Sequence, residues 1–376
     1  MSDHLQLKKN LFINGVNTSF GGSVKSSTKV WQDSFDSENI DCYFFNTVPD
    51  FNFKSKTFLY KLLIAFYFIP GTFFRIFKQP IFEFLYKLSP FLILQFYRVK
   101  IRTNPSKIIF SHHSIFFLAV FIKKIRRIFL IHDLIYIRAK SKGASRRVQR
   151  FYFAIELCIY RHAHILFIHS YHEQRVLRNF LSNETYLIKS WRAEPNARSA
   201  SYACSEIAVI SDWRRYENIH GAIEFFTKDF DHMNFKGKIK FHFYGFDSDK
   251  IILKITSLNL SPQILMLDGG IFKNLSDIRE GFFFVPIYHG AGIKLKTIEA
   301  LASKRFVLGT KAAFIGLHPW IISKVIKITD SLNDFSINIK APKEDDFIEA
   351  IDGLSLKFIE IGMIPIFHNH NISLCD

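Results

Sequence analysis

Short runs of β-branched and aromatic residues alternate with longer amphipathic stretches along most of the chain, and this rhythm restricts the fold more than any other feature. Strands that run parallel need a crossover of a dozen or so residues between them, usually a helix, so such alternation is the signature of βαβ units. In the first half the strand-like runs are residues 11–14, 108–111, 128–132 and 165–169. The second half restarts the rhythm at 207–210, 239–244, 264–267, 282–287, 306–308 and 325–328. Between the halves, residues 191–205 are rich in Ala, Ser, Asn and Pro without periodicity and read as a linker. At 376 residues the chain is too long for one ordinary core, so the restart predicts an α/β protein of two Rossmann-like domains, 1–192 and 193–376, facing across a cleft. That division leaves room for the last helix to pack back on the N-terminal domain.

A formal charge of +17 asks for an anionic partner, whether nucleic acid, an anionic membrane face or a phosphate-bearing small molecule. The positive excess lies mostly in the first half. Lys54, Lys56, Lys61, Arg75, Lys78, Lys87, Arg98, Lys100 and Arg102 face a single acid, Glu83, and are interleaved with Phe, Tyr and Leu. A second basic stretch runs from Lys123 to Arg161. Basic residues mixed with exposed apolar ones describe a surface that can lie on anionic lipid; buried helices with solvated lysines give the same pattern. The longest uncharged run there, residues 62–74, is too short to span a bilayer, which takes about 20 residues. Nucleic-acid binding is disfavoured because no recognition signature accompanies the charge. Four scattered cysteines and an N-terminus without a secretory apolar core fit a protein of the cytoplasm.

Ligands of open parallel sheets bind where strand ends meet helix N-termini. The stretch GAGIKLKTIEALASKRFVLGT, starting at Gly290, lies at such a place, with a strand before it and a helix predicted over 294–303. Gly290 and Gly292 let backbone amides approach a phosphate, the helix N-terminus adds positive potential, and Lys294 and Lys296 strengthen an anion site. Gly292, Lys296 and Glu299 share one helix face, with Glu299 about 10 Å further along the axis than Gly292 at ~1.5 Å per residue, the distance from a diphosphate to a ribose. There its carboxylate can take two hydroxyls of a ribose, or simply pair with Lys296 as a surface i,i+3 pair.

The run from Pro286 to Leu317, PIYHGAGIKLKTIEALASKRFVLGTKAAFIGL, resembles the donor-site signature of the group 1 glycosyltransferases, a GT-B-fold family of mostly retaining sugar transferases. Weaker similarity lies in IAVISDWRRYENIHGAIEFF, which resembles the opening strand and helix of the family's C-terminal domain, and in LMLDGGIFKNLSDI, similar to the segment before its base pocket. In the first half, Gly21–Gly22, SHHS, IHDL and IHSYHEQRVL look like loops of its acceptor domain. The resemblance implies a nucleotide-diphosphate sugar held by the C-terminal domain, with Gly290, Ala291 and Gly292 at the diphosphate, Glu299 at the ribose, and Tyr288, His289 and Gly270 also lining the donor side. It implies cationic stabilisation of the leaving group by Lys294, Lys296, Arg214 and Arg215, with no metal and no cofactor. Many members carry a glutamate eight residues before Glu299, where this chain has Ala291, so Tyr288 and His289 are the polar replacements or the sugar is a deoxy type.

His112, His113 and His132 follow predicted strands, at the cleft with Gly21 and Gly22. They are candidates for contacts to sugar or acceptor, or for acid–base work, or else satisfy strand-end carbonyls. Asp133 is either a base toward the acceptor hydroxyl or a helix N-cap. The expectation is a cytoplasmic glycosyltransferase attached peripherally to the inner membrane face, moving a sugar to a lipid-linked or membrane-bound saccharide in bacterial surface polysaccharide assembly (O-antigen, capsule or lipopolysaccharide). The alternatives left open are a catalytically silent GT-B protein that binds a saccharide or partner, and a basic nucleic-acid-binding protein.

Overall fold

The computed structural model describes residues 10–14, 40–44, 90–103, 105–111, 115–189, 206–229, 239–258, 260, 264–272, 275–302, 305–317, 326–328 and 363–365. The chain divides into two compact units. One comprises Met1–His169, Glu173–Ile188 and Ile366–Asp376, and the other Ser170–His172 and Lys189–Pro365. The linker expected at 191–205, the apolar run 62–74 and the last helix lie outside the described residues.

The first sheet is parallel at every described pairing and runs in the order β2 (Ile40–Phe44), β1 (Asn10–Asn14), β3 (Lys107–Ser111), β4 (Arg126–Ile131), β5 (Ile165–Ile168), β6 (Glu184–Lys189). Strands buried on both faces should be apolar throughout, and all five residues of β3 are buried. Helices α1 (Pro90–Thr103), α2 (Ile135–Ser141), α3 (Arg146–Tyr160) and α4 (Tyr171–Arg178) accompany the sheet. Phe129 of β4 stacks on Phe116 at 4.6 Å and meets the ring of Tyr160 from α3 at 6.2 Å.

Helix α2 follows β4 directly, and its first amides are satisfied by carboxylates far away in the chain. Leu134 N–H donates to Glu173 at 3.1 Å, and the N–H groups of Ile135 and Tyr136 donate to the two oxygens of Glu156 at 2.6 and 3.1 Å. The Tyr160 hydroxyl adds a bond to Glu156 at 3.1 Å. Asp133 does not cap this helix: its carboxylate takes the guanidinium of Arg138 instead, and the cap position is Leu134.

The second sheet runs β12 (Ile326–Ile328), β11 (Phe306–Gly309), β10 (Phe282–Val285), β7 (Glu206–Ile210), β8 (Ile239–Tyr244), β9 (Ile264–Gly270), again parallel throughout. Chain order reverses between β7 and β10, so this is a doubly wound sheet with its switch point there, and ligand crevices form outside the carboxyl ends of such a pair. All four residues of β10 are buried, and Phe284 packs on Phe225 at 4.2 Å. Strand β8 alternates, with Phe241 and Phe243 in the core and His242 and Tyr244 on the other face, where both meet Glu280. Helices α5 (Tyr216–Glu224), α6 (Ser248–Thr256) and α7 (Leu295–Ala302) follow β7, β8 and β10.

Helix α5 touches the turn after β10 through Gly221. A Cβ there would lie 2.3 Å from the carbonyl oxygen of Pro286. Gly221→Ala is therefore expected to destabilise the protein by about 1–3 kcal/mol, as overpacking against backbone does. Chemical denaturation checks this, and an unchanged midpoint would refute the close approach. Burial pushes the Glu156 carboxyl up to about 7, against the pull of its hydrogen bonds. The folded protein thus holds this proton more tightly than the unfolded chain, so Glu156 favours folding at low pH. That contribution, about 3 kcal/mol at most, is lost as pH rises from about 4.5 through 7. Thermal unfolding followed across that window should show the decline. Glu156→Gln should flatten it, and a variant that keeps the wild-type slope would contradict the assignment.

Candidate functional site

The carboxyl end of β7 and the turn after β10 bring several charged side chains to the switch point of the second unit. Gly290 and Gly292 both take positive φ, 139° and 67°, which lets residues 288–292 fold back tightly between β10 and α7. Lys294 directly precedes α7, its carbonyl accepting from Thr297 and Ile298 at 3.0 and 3.2 Å. The helix starts one residue later than predicted, so Gly292 belongs to the turn. The Lys294 ammonium curls back and donates to the Ala291 carbonyl at 2.7 Å. A Cβ on Gly290 would come within 2.7 Å of that nitrogen. Tyr288 is half-buried and His289 exposed.

Lys296 reaches across to the neighbouring strand. Its amine lies 3.0 Å from Ser211 Oγ, just beyond β7, and 3.4 Å from Asn218 Oδ1 on α5. The other end of the Asn218 amide donates to the Asp212 carbonyl at 2.8 Å, which fixes its oxygen toward the lysine. Burial of the amine is the main cause that lowers Lys296 to about 7, with Arg215 and Lys294 adding repulsion. Glu299 is on α7, one turn further on.

The two arginines after β7 separate in role. Arg214 makes a two-pronged pair with Asp212, at 2.8 and 2.9 Å, and lies over the ring of Phe246 at 4.1 Å. That pairing holds the Asp212 carboxyl below its usual range. Arg215 is the arginine whose charge is felt by Lys296. Gly270, with φ of 71°, closes β9, and its carbonyl accepts from Gly245 at 2.9 Å. Trp213 pins the same rim from below, donating from its indole nitrogen to the Tyr244 carbonyl at 3.0 Å.

In the first unit, three successive strands end in polar side chains. Ser111 closes β3, His132 follows β4 and His169 follows β5. His132 Nε2 and Ser111 Oγ are 3.1 Å apart, and the two imidazoles stack with centroids 5.1 Å apart and planes inclined by 21°. Burial lowers both histidines below their ordinary value, so neutral rings are favoured near pH 7. Asp133, beside His132, is committed to Arg138. Gly21, Gly22, His112 and His113 lie outside the described residues.

Sequence reasoning did not single out Ser211 or His169, and Asn218 entered only as the Asn of the resemblance over residues 207–226. Ser211 and His169 are each the first residue after a strand, which was the available signal; for the pairing of Asn218 with a lysine 78 residues away there was none. Among the described residues no group of three or more His, Cys, Asp or Glu side chains is placed to hold a metal ion, and no helix is long and apolar enough to cross a membrane.

No family model matches the sequence, and no curated protein sequence matches it. Solved structures do match in fold. Sucrose-phosphate synthase from Thermosynechococcus elongatus aligns with a TM-score of 0.59 at 12% identity, covering 94% of this chain and 98% of its own. HepE from Anabaena, in a structure containing UDP, aligns with a TM-score of 0.54 at 10% identity, covering 94% and 99%. A glycosyltransferase from Rickettsia africae gives 0.51 at 12% identity, with 95% of each chain covered. The fold is accordingly that of the GT-B glycosyltransferases, as the sequence resemblance implied.

Proposed function

We propose that the protein is a glycosyltransferase that moves a sugar from a nucleoside-diphosphate donor to a lipid-linked or membrane-bound saccharide acceptor. The observation that carries this reading is the cationic site at the β7–β10 switch point. There Lys294, Lys296 and Arg215 surround a glycine turn and a helix N-terminus. Breaking the bond between the anomeric carbon and the diphosphate leaves negative charge on the departing oxygens, and fixed cations and amides aimed at that charge lower the barrier. In this reading Gly290, Ala291 and Gly292 admit the diphosphate, Glu299 takes the ribose hydroxyls, and Tyr288, His289 and Gly270 line the donor. Arg214, paired with Asp212, shapes the loop and leaves Arg215 to the phosphates. The reading invokes no metal or other cofactor, because the side chains already present supply the positive charge.

The first unit takes the acceptor. His132 presents a neutral imidazole for a hydrogen bond to sugar or acceptor, and Asp133, tied to Arg138, orders its loop. Gly21, Gly22, His112 and His113 are assigned to the same acceptor side. Val120 and Phe121 are 44% and 48% exposed and are followed by exposed Lys123 and Lys124, a wedge suited to an anionic membrane face. This supports peripheral attachment at the inner face of the cell membrane, with no role for nucleic acid. A retaining outcome and a place in bacterial surface polysaccharide assembly complete the reading.

A thermal-shift panel of UDP-, GDP-, CDP- and dTDP-sugars tests it. One nucleotide class should raise the unfolding midpoint by several degrees, and Glu299→Ala should remove the shift. If no nucleotide sugar stabilises the protein, the reading is wrong. Sedimentation with vesicles tests the membrane face. Anionic vesicles should carry the protein down and neutral ones should not, and reversing Lys123 and Lys124 to Glu should weaken the binding severalfold; equal binding to both lipids would remove this part.

A further inference from the structure

Lys296 is held by groups that do not balance a positive charge. Its amine meets a serine hydroxyl and a side-chain amide oxygen, both neutral. The charges that act on it are Arg215, at the start of α5, and Lys294, at the start of its own helix, and both are repulsive. Asp212, the acid of the loop after β7, turns both carboxylate oxygens to Arg214. On α7 itself the acid is Glu299, one turn on, which the proposed function assigns to ribose. A lysine placed this way is expected to give up its proton, because the ammonium loses hydration and gains no counter-ion from these described groups.

We propose that Ser211 and Asn218 are positioning residues that hold Lys296 as an uncharged amine until a nucleoside diphosphate arrives, so that donor binding takes up one proton at Lys296 Nζ. The inference rests on the reading of this site as a diphosphate site. The proton balance is simple: the amine lone pair accepts a proton from solvent, the ammonium then faces the diphosphate oxygens, and no covalent bond forms or breaks. Before binding, the amine titrates near 7; beside two phosphates it returns toward or above the ordinary lysine value of 10.5. Between these limits the bound state holds the extra proton, so affinity falls as pH rises, approaching tenfold per pH unit. Binding is then strongest where the lysine is already charged, and the leaving diphosphate meets an ammonium that its own arrival created.

Calorimetric titration of UDP, GDP, CDP and dTDP into the full chain at about pH 8 tests this, run in two buffers of different ionisation enthalpy. At that pH the nucleotides are fully ionised and the unliganded amine is mostly neutral, so uptake of most of one proton per site is expected. Lys296→Arg stays charged throughout and should bind with almost no uptake. Asn218→Asp places a carboxylate beside the amine, charging it in advance, and should cut the uptake to near zero; a residue that merely supports the fold would change affinity without changing the proton count. A nucleotide that binds with no uptake in the wild type overturns the inference and leaves the diphosphate reading intact. Absence of binding by all four overturns both. As an independent readout, competitive acylation across pH should find Lys296 half-reactive near 7, and a midpoint near 10.5 would also overturn the inference.

Discussion

The carbonyl oxygen of Ser211 lies only 1.9 Å from where a side chain on Gly245 would begin, and Gly245 sits at a φ of 119° that few other residues adopt. The loops after β7 and β8 are packed backbone to backbone at this point. Gly221 brings α5 equally close to the turn after β10. These contacts fix the separation of the loop that carries Ser211, the helix that carries Asn218 and the glycine turn. A site made of side chains several residues long is only as defined as the backbone beneath it, and here the backbone cannot move apart without losing contacts or move closer without collision.

On that rigid rim, charge is distributed by pairing some ions internally and leaving others for a ligand. Each unit places an aspartate–arginine pair in a loop that follows a strand, Asp133 with Arg138 and Asp212 with Arg214. Both pairs are close to electrically neutral, so they order their loops without contributing much field. The net character of each rim then comes from its neighbours: neutral imidazoles in the first unit, and Lys294 and Arg215 in the second, joined by Lys296 once it is protonated. This division suits the two halves of the proposed reaction, where an uncharged sugar hydroxyl and an anionic diphosphate have to be bound by different surfaces.

The parts legible in the sequence were those written in local pattern. Phe282 to Val285 could be read as a buried strand because it is uninterrupted and apolar, and Gly290 to Gly292 as a turn because glycines cluster where the strand stops. The strand Glu184–Lys189 was missed, since ETYLIK mixes charge with β-branched residues and resembles a helix edge as much as an edge strand. Asp133 looked like an N-cap by position, but the amides of α2 are taken by Glu156 and Glu173, some 20 and 39 residues away. The cradle of Lys296 was equally hidden, because Ser211 lies 85 residues from the lysine and meets it only once the sheet is wound. Local sequence carries element type; it does not carry which polar atoms a doubly wound topology brings together.

Glu156 and Lys296 share the same physics with opposite signs. Both are shifted first by burial, which disfavours whichever form is charged, raising the acid and lowering the base until each sits at about 7. What differs is the company. Glu156 receives two backbone amides and a phenol, so every bond it makes favours its anion and ties α2 to α3. Lys296 meets two neutral oxygens and is opposed by two cations, so burial and these charges favour its neutral amine. A buried acid with donors on all sides is already complete as a piece of structure. A buried base held among cations is complete only with an anion beside it, and the glycine turn on the same rim is where backbone can give that anion room.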